Sequence, residues 1–332
     1  MELSLIIVNW NSAELLRRCL ESILSSSASC DLEVLVIDNA SYDGSAGMIA
    51  KEFPSVTFIQ SDRNLGFAGG NNLAFQQSTG RHVLFLNPDT EMVGNALATM
   101  LTVLKTRPAA GIVGPKLVNP DLSVQIDCTL AFPTILNQLF ESFLTRKIFG
   151  KLNFGGVKPV IEQSNDPVSV EMLPGTCVML RREVFEQAGR FNEKYFMYAE
   201  DAELSYRVKS AGWTNYYVGS AAVIHHRGRS SEQKSESFFS TVMMREAVWQ
   251  FFCATHGQWY GSVYRTTTCL AALVRLTVLG LFFLLPVSRQ MRSSAARSRR
   301  KWMKVLRWSV GLEGWARKYK PVPTQGRHAV TA

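Results

Sequence analysis

The sequence predicts an α/β protein with a mostly parallel sheet flanked by helices and a C-terminal helical tail. Four apolar runs of strand length, from 4–8 to 82–86, alternate with helical patterns. These runs lack polar alternation, which is typical of parallel strands buried on both faces. Near the C-terminus, an apolar segment is followed by many arginines and lysines.

The elements of the first half are set by hydrophobic period and cap signals. Asn11 or Ser12 can cap a first helix, with Glu14 in capping-box spacing after Asn11. The predicted strands are 4–8, 33–37, 55–60 and 82–86, and the predicted helices between them begin at 13 and span 45–53 and 69–78.

The second half is less regular. We predict a strand over 170–180, helices over 182–188 and 202–210, and a strand from 221 that leads into a His-His-Arg-Gly loop. Residues 237–255 have the period of an amphipathic helix, whereas 120–167 carry no pattern that assigns them.

The charge is concentrated in the tail. Residues 288–332 hold twelve basic side chains and one acid, which gives a net charge of +11. The whole chain carries +9, so residues 1–287 carry −2. A near-neutral body argues against a nucleic-acid binder, whose basic face would belong to the folded domain. The tail instead indicates an anionic surface as partner.

The cysteine pattern and the N-terminus indicate a cytoplasmic protein. The six cysteines are scattered without a C-x-x-C pair, so neither a zinc site nor a redox motif is supported. The chain enters a strand at once, without a basic and apolar leader. We expect synthesis in the cytoplasm with reduced thiols.

The segment 266–288 is strongly apolar but carries Arg275. Its unbroken part, 276–287, has about half of the ~20 residues that a spanning helix needs. Trp302 and Trp308 lie among the basic residues behind it. This order favours an interfacial membrane anchor over a spanning helix. The alternative is a buried hairpin with a solvated basic face.

Polar residues recur where the predicted strands end. Asn9 follows the first strand, Asp38 and Asn39 the second, and Asn87 and Asp89 the fourth. Ligands of parallel sheets bind beyond the carboxyl ends of the strands. We therefore expect these side chains to line a ligand site.

Three acidic or imidazole clusters suit a metal-assisted transfer, and each also has a structural explanation. Asp89 is either a turn residue or a ligand of Mg²⁺ or Mn²⁺. Glu200 and Asp201 either cap a helix or, beside aromatic residues, provide a general base. Of His225 and His226, only one should face the site, because adjacent strand residues point to opposite faces.

Arg227 and Arg229 follow the two histidines and could contact phosphate. In such a transfer, a metal neutralises a diphosphate leaving group while a carboxylate deprotonates the incoming hydroxyl.

Seven motifs in order resemble family 2 glycosyltransferases, closest to the bacterial rhamnosyltransferase-like branch. They are SLIIVNWN, VIDNAS, RNLGFAGGNN, LFLNPDT, PGTCVMLRREVF, FMYAEDAELSYRVKSAGW and HHRGRSS, and the likeness as a whole covers about residues 3–231. The resemblance implies a GT-A fold, which is Rossmann-like, and inverting transfer from a nucleotide-diphosphate sugar.

The resemblance also assigns roles to individual residues. Asp201 matches the catalytic base, and Asp89 and His225 match metal ligands for Mg²⁺ or Mn²⁺. The acceptor-side residues of the same motifs are Gly175, Thr176, Glu200 and Trp213. The residues implied to bind the donor, with Asp38 on the uracil or thymine base, are Asn9, Asp38, Asn39, Arg63, Asn64, Gly66, Asn71, Asn87, Arg227 and Arg229.

Three positions depart from the family pattern. Asn87 replaces the first acid of the DxD motif and leaves the metal site poor in carboxylates, so the donor diphosphate would have to complete it. Asn192 stands where the family usually has Asp, and Glu203 is the second acid of the EDxD pattern. None of these changes removes a proposed catalytic group.

The resulting expectation is a metal-dependent inverting glycosyltransferase. We expect it at the cytoplasmic face of the inner membrane, moving a sugar, with rhamnose favoured, from a dTDP or UDP donor to a lipid-linked saccharide. The expected divisions are a catalytic domain over 1–235, split at 118, an amphipathic linker over 236–265 and a membrane-associating tail over 266–332.

Three other functions are compatible with the same predicted sheet. A sugar-phosphate nucleotidyltransferase or a nicotinamide dehydrogenase would need a glycine-rich loop after the first strand, where this chain has Asn9-Trp10-Asn11-Ser12. A non-catalytic nucleotide-sugar binder would not need Asp89, Asp201 and His225.

Overall fold

The computed structural model of the chain describes residues 1–26, 31–125, 131–139, 166–226, 238–283 and 288–319. Its strands are β1 (Leu3–Asn9), β2 (Leu32–Asp38), β3 (Thr57–Gln60), β4 (His82–Leu86), β5 (Thr90–Val93), β6 (Ala110–Val118), β7 (Val168–Val170), β8 (Cys177–Arg181) and β9 (Thr214–His225).

The helices that flank the sheet or lie beside it are α1 (Ala13–Ser26), α2 (Ser45–Glu52), α3 (Gly66–Gln77), α4 (Ala96–Thr106), α5 (Ile135–Leu139), α6 (Arg182–Gln187) and α7 (Glu200–Ser210). The C-terminal helices are α8 (Phe239–Phe282) and α9 (Arg289–Ser309), followed by a 3₁₀ turn at Gly314–Ala316.

All of the described strands join one sheet in the order β3-β2-β1-β4-β8-β6-β9-β5, with β7 on β9. The first four strands in this order are parallel, as the apolar runs predict. Beyond β4 the sheet is mixed, because β8 runs antiparallel to both β4 and β6. The sheet is continuous across the expected division at residue 118.

The residues of β1 alternate between the two faces of the sheet. Leu3, Leu5 and Ile7 pack with α1, α2 and α4, whereas Ile6 packs with α3, α6 and α7. Both faces are therefore covered, which explains why the strand is apolar along its whole length. The helices hold the carboxyl ends of the parallel strands at one open rim.

Several boundaries differ from those predicted. The strand expected over 170–180 is two strands, β7 and β8, because Gly175 and its neighbours leave the sheet to contact α7. The expected capping box at Asn11 is absent; Asp43 instead accepts a hydrogen bond from the Ala13 backbone N–H at 2.7 Å. Helix α3 begins at Gly66, three residues before its predicted start.

The C-terminal helices pack against the segment that precedes α7. Phe251 and Phe252 of α8 and Trp308 of α9 share a hydrophobic cluster with Tyr195 and Ala199, which precede α7. The predicted linker and tail therefore join an aromatic core, and the expected division at 265 falls within α8.

Helix α8 is the one helix in the described ranges that is long and apolar enough to cross a membrane by length and composition. Its backbone departs from helical geometry at Gly257, where φ is +88°. Beyond this kink an exposed apolar stripe runs along one face, formed by Leu270, Leu273, Val274, Val278 and Leu281.

Candidate active site

The polar rim of the parallel strands is organised around Asp38. Asn9, Asp38 and Gln60 lie in register on neighbouring strands. The Asp38 carboxylate accepts hydrogen bonds from Asn9 Nδ2 (2.8 Å), the Ser41 N–H (2.8 Å), Gln60 Nε2 (3.0 Å) and Ser45 Oγ (3.2 Å). A carboxylate accepts about four hydrogen bonds, so the Asp38 carboxylate is already fully paired. A ligand that donates a hydrogen bond to Asp38 would therefore have to replace one of these donors, such as Gln60.

Asn39 connects the end of β2 to the start of α3. Its Nδ2 donates to the Gly66 carbonyl at 3.0 Å, and its Oδ1 accepts from the Leu65 N–H at 3.4 Å. The Asn64 side chain accepts from the Gly66 N–H at 2.9 Å. Two of the predicted donor-binding asparagines thus fix the loop that enters α3.

Gly66 is required by its backbone and by its surroundings. Its φ is +74°, and a Cβ placed there would lie 2.3 Å from the carbonyl oxygen of Phe196. The Phe67 N–H donates to that same carbonyl at 3.2 Å. The loop that enters α3 is therefore in direct contact with the loop that precedes Asp201.

The other two residues predicted on this stretch differ in accessibility. Arg63 is exposed beside the rim. Asn71 is buried, donates to the Phe67 carbonyl at 3.0 Å, and has an Oδ1 atom without a partner among the described residues. An unpaired buried acceptor is costly, which makes Asn71 a candidate to receive a donor from a ligand.

Asp89 and His225 meet because β5 pairs with β9 in antiparallel register. Thr90, which follows Asp89, is the direct partner of His225. His225 Nε2 lies 3.6 Å from Asp89 Oδ2, which is too long for a hydrogen bond. Two ligands roughly 2–2.4 Å from a shared divalent cation lie at about this separation, so the pair fits a metal.

This pair is small for a metal site. Within the ranges that the structure describes, no group of three or more His, Cys, Asp or Glu side chains gathers around one point. Asn87 adds no carboxylate; its carbonyl accepts from Thr90 Oγ1 at 2.7 Å. Both observations agree with a cation whose remaining ligands come from the donor diphosphate and from water.

The adjacent histidine has a different partner. His226 Nε2 lies 2.6 Å from Glu91 Oε1, and the His226 N–H donates to the Asp89 carbonyl at 2.9 Å. The structure therefore separates the two imidazoles, as the alternation of strand residues predicts. The neighbouring Arg227 and Arg229 lie outside the described residues.

Asp201 lies in the first turn of α7, where two backbone N–H groups hold its carboxylate. Gly175 donates at 2.9 Å and Ala202 at 2.8 Å. Burial raises the pKa of Asp201, and these hydrogen bonds favour its charged form. Asp201 thus combines a basic carboxylate with a fixed orientation.

Glu200 is the contrasting neighbour. Its side chain is buried, and its Oε2 atom has no hydrogen-bond partner in the described chain. Burial, together with the charge of Asp201, raises the pKa of Glu200 to about 8. Glu200 therefore favours its protonated form, whereas the backbone hydrogen bonds to Asp201 favour the charged form that a base needs.

The backbone before these acids is strained. Tyr198 has φ +74° and Ala199 has φ +60°, both in the left-handed region that glycine favours. Such residues persist only where the surroundings determine them, and they cluster at active sites. Here the aromatic cluster around Tyr195 provides that support.

Gly175 and Thr176 connect Asp201 to the metal end of the site. Gly175 donates to Asp201, and the next carbonyl, that of Thr176, accepts from the Asn87 N–H at 2.9 Å. Two consecutive residues therefore join the candidate base to the loop that carries Asp89.

Trp213 is the predicted site residue that the structure does not bring to this cluster. It follows the C-terminal end of α7 and contacts Gly111 and the core around Val208. Asp201 lies at the opposite end of the helix, and residues 201–210 rise roughly 14 Å along its axis. The assignment of Trp213 to the acceptor side came from its motif, and here the residue packs against the core.

Residues 4–189 match the family model described as Glycosyl transferase family 2. The N-acetylglucosaminyl-diphospho-decaprenol L-rhamnosyltransferase of Mycobacterium tuberculosis is 28% identical over 92% of this chain and 97% of that protein. Rhamnosyltransferase WbbL of Escherichia coli is 24% identical over 71% of this chain and 86% of that protein.

A solved structure has the same fold. The mannosyltransferase PcManGT from Pyrobaculum calidifontis, in complex with GDP-Man and Mn²⁺, superposes with a TM-score of 0.55 at 15% identity, covering 94% of this chain and 87% of that one.

Proposed function

The chain belongs to glycosyl transferase family 2 and is a glycosyltransferase with a GT-A fold, and from this premise we propose that it transfers rhamnose to a lipid-linked saccharide with inversion. The proposed donor is dTDP-rhamnose, or a UDP-sugar as the alternative nucleotide. The proposal rests mainly on the hydrogen-bonded link from Asp201 through Gly175 and Thr176 to Asn87. This link holds the buried Asp201 carboxylate, the proposed general base, beside the polar rim of the sheet.

In the proposed reaction, Asp201 takes the proton from the acceptor hydroxyl as that oxygen attacks the anomeric carbon. The bond from that carbon to the diphosphate breaks on the opposite face, which inverts the configuration. General base catalysis of this kind contributes roughly 10²–10⁴-fold to the rate. The Gly175 and Ala202 N–H groups keep the Asp201 carboxylate aimed at the acceptor side.

Asp89 and His225 are the residues that would hold Mg²⁺ or Mn²⁺. When bound, the cation supplies positive charge that neutralises the departing diphosphate. Mn²⁺ is present in the PcManGT complex. With only two protein ligands, we expect tight metal binding to require the nucleotide diphosphate.

The donor nucleotide would lie along the rim between Asp38 and the start of α3. Asn9, Asn39 and Asn64 shape this part of the rim, and the exposed Arg63 is available to a ligand. The name of the Mycobacterium tuberculosis relative supports rhamnose as the sugar.

The acceptor proposal rests on a relative and on the C-terminal helices. The Mycobacterium tuberculosis relative is named for a decaprenol-linked N-acetylglucosaminyl diphosphate. In this chain, the exposed apolar stripe of α8 lies on a helix that packs against the basic α9. Together they suit the surface of an anionic membrane, which we propose is the cytoplasmic face of the inner membrane.

We propose the functional divisions as expected from the sequence. The catalytic domain covers 1–235, with a nucleotide-binding half over 1–118 and an acceptor and catalytic half over 119–235. Residues 236–265 join this domain to the membrane-associating segment over 266–332. The shared aromatic core places that segment against the loop before Asp201.

The test is a transfer assay with purified protein, Mn²⁺, a panel of nucleotide sugars and a polyprenyl-diphosphate N-acetylglucosamine acceptor. The Asp201→Asn variant should lose at least 100-fold in kcat, while dTDP still raises its melting temperature as in wild type. Asp31→Asn is the matched control, because Asp31 is exposed and pairs with the N-terminal amine. Full activity of Asp201→Asn would exclude it as the base.

A further inference from the structure

Gln125 is a buried amide beside the imidazole of His225, and it lies in none of the seven motifs. Its side chain is 2% exposed. A turn over Asn119–Ser123 returns the chain after β6, so that the Gln125 N–H donates to the Leu117 carbonyl at 3.0 Å. This turn carries Gln125 to the end of β9, where its Oε1 lies 3.2 Å from His225 Nδ1.

The orientation of this amide is determined by its own hydrogen bonds. Gln125 Nε2 donates to the His225 carbonyl at 2.8 Å, to Asn119 Oδ1 at 3.1 Å and to the Val118 carbonyl at 3.3 Å. A rotated amide would place its oxygen against these three acceptor oxygens, which is unfavourable. Oε1 must therefore be the atom that faces the imidazole.

This orientation selects one tautomer of His225. An amide oxygen only accepts, so Nδ1 must carry the proton and donate to it. In the neutral ring, Nε2 then has the free lone pair, and Nε2 is the atom 3.6 Å from Asp89 Oδ2. The lone pair thus points toward the carboxylate that would share a cation with it.

We propose that Gln125 is a positioning residue that fixes the tautomer and ring orientation of His225 for divalent cation binding. The proposal rests on the cation site of the proposed function. Partners of this kind commonly contribute 10–100-fold to metal affinity when a histidine is the ligand. Gln125 itself contacts neither the cation nor the substrate in this account.

The first measurement uses the wild-type protein without metal. A long-range ¹H–¹⁵N spectrum distinguishes the two tautomers of a neutral histidine, and His225→Gln identifies the His225 signals by their loss. We expect His225 with a protonated Nδ1 and an unprotonated Nε2. An Nε2-protonated ring would overturn the inference without the need for any Gln125 variant.

The second measurement is Mn²⁺ titration by calorimetry at saturating dTDP, repeated with UDP. Gln125→Leu retains approximate volume but removes the acceptor, and it should weaken Mn²⁺ binding by about 10–100-fold. Glu91→Gln is the matched control, since Glu91 pairs with the adjacent His226, and it should stay within about 2-fold of wild type.

The outcomes separate this inference from the proposed cation site. If His225→Ala weakens Mn²⁺ binding and Gln125→Leu does not, the cation site stands and the role of Gln125 is refuted. If His225→Ala leaves Mn²⁺ affinity unchanged, the cation site itself is wrong, and the inference that rests on it fails too. Equal weakening by Glu91→Gln would also refute the specific role of Gln125.

Discussion

Replacing Gly66 with alanine tests whether the contact between the loop that enters α3 and the loop before Asp201 is needed for stability and catalysis. Gly66 has φ +74°, and a Cβ there would lie 2.3 Å from the Phe196 carbonyl oxygen and 2.8 Å from its Cδ2. Neither distance is compatible with a real Cβ, so the Phe196 backbone has to move. We therefore expect Gly66→Ala to disturb both stability and catalysis.

The magnitude has two parts. A non-glycine residue in the left-handed region costs about 1–2 kcal/mol. Moving the Phe196 carbonyl also weakens the hydrogen bond that it accepts from the Phe67 N–H at 3.2 Å, which adds about 0.5–1.5 kcal/mol. The expected loss in free energy of unfolding is therefore roughly 1.5–3.5 kcal/mol.

Gly212→Ala is the matched control. Gly212 has φ +91° but nothing within 4 Å of its Cβ position, so this variant should lose only the backbone part, about 1–2 kcal/mol. Urea unfolding gives both free energies, and initial rates give kcat/KM. We expect kcat/KM to fall at least 10-fold for Gly66→Ala only, because Phe196 precedes the strained residues that place Asp201. Equal losses in stability and unchanged rates for both variants would refute the reasoning.

Two further predictions concern buried acids and the membrane. Burial raises the pKa of Glu200 to about 8, so the free energy of unfolding of the wild type should fall between pH 4.5 and 8 by up to about 1.4 kcal/mol per pH unit. In urea unfolding, Glu200→Gln should remove this slope. Parallel pH dependences of the wild type and the variant would contradict the prediction. The double variant Leu273→Glu and Val278→Glu should lower sedimentation with anionic vesicles at least 10-fold, whereas Leu24→Glu on α1 should not. Equal vesicle binding by the wild type, the double variant and Leu24→Glu would exclude the stripe as the membrane-binding surface.

The parallel half of the sheet was predictable because each strand is a continuous apolar run. The same rule placed Asn9, Asp38 and Asn87 at the carboxyl ends, where the structure has them. Local signals were sufficient here, since each strand–helix pair is contiguous in sequence. The caps were less predictable, as the contact of Asp43 with the start of α1 shows.

The mixed half was not predictable by the same means. Asp89 and His225 meet only because β5 pairs with β9, at a separation of more than one hundred residues along the chain. The hydrophobic period of β9 does not specify its partner, and antiparallel pairing of this kind depends on the whole sheet. The two residues were named from their motifs, and the structure supplies the reason for their proximity.

The role of Gln125 was even harder to predict from the sequence. A glutamine after an irregular turn has no period or spacing that sets it apart from any other surface amide. Only the return of the chain after β6 buries it beside His225.

The shared aromatic core also decides how the membrane prediction can be tested. Deleting residues 265–332 would remove Trp308, whose Nε1 donates to Glu246 at 2.8 Å, and Arg317, which pairs with Glu246 at 3.0 Å. Glu246 is buried, so the deletion would remove both hydrogen-bond partners of its carboxylate and would open the core around it. The deletion would also remove Tyr319, whose ring lies 4.8 Å from that of Phe196.

A truncated protein that left the membrane fraction could therefore have lost its fold and not merely its anchor. The substitutions at Leu273 and Val278 avoid this ambiguity, because both side chains are already exposed and contribute little to the core. If vesicle binding falls while kcat on a soluble acceptor analogue is retained, the stripe acts at the membrane alone. If both fall together with the free energy of unfolding, α8 is a structural helix, and the interfacial assignment is wrong.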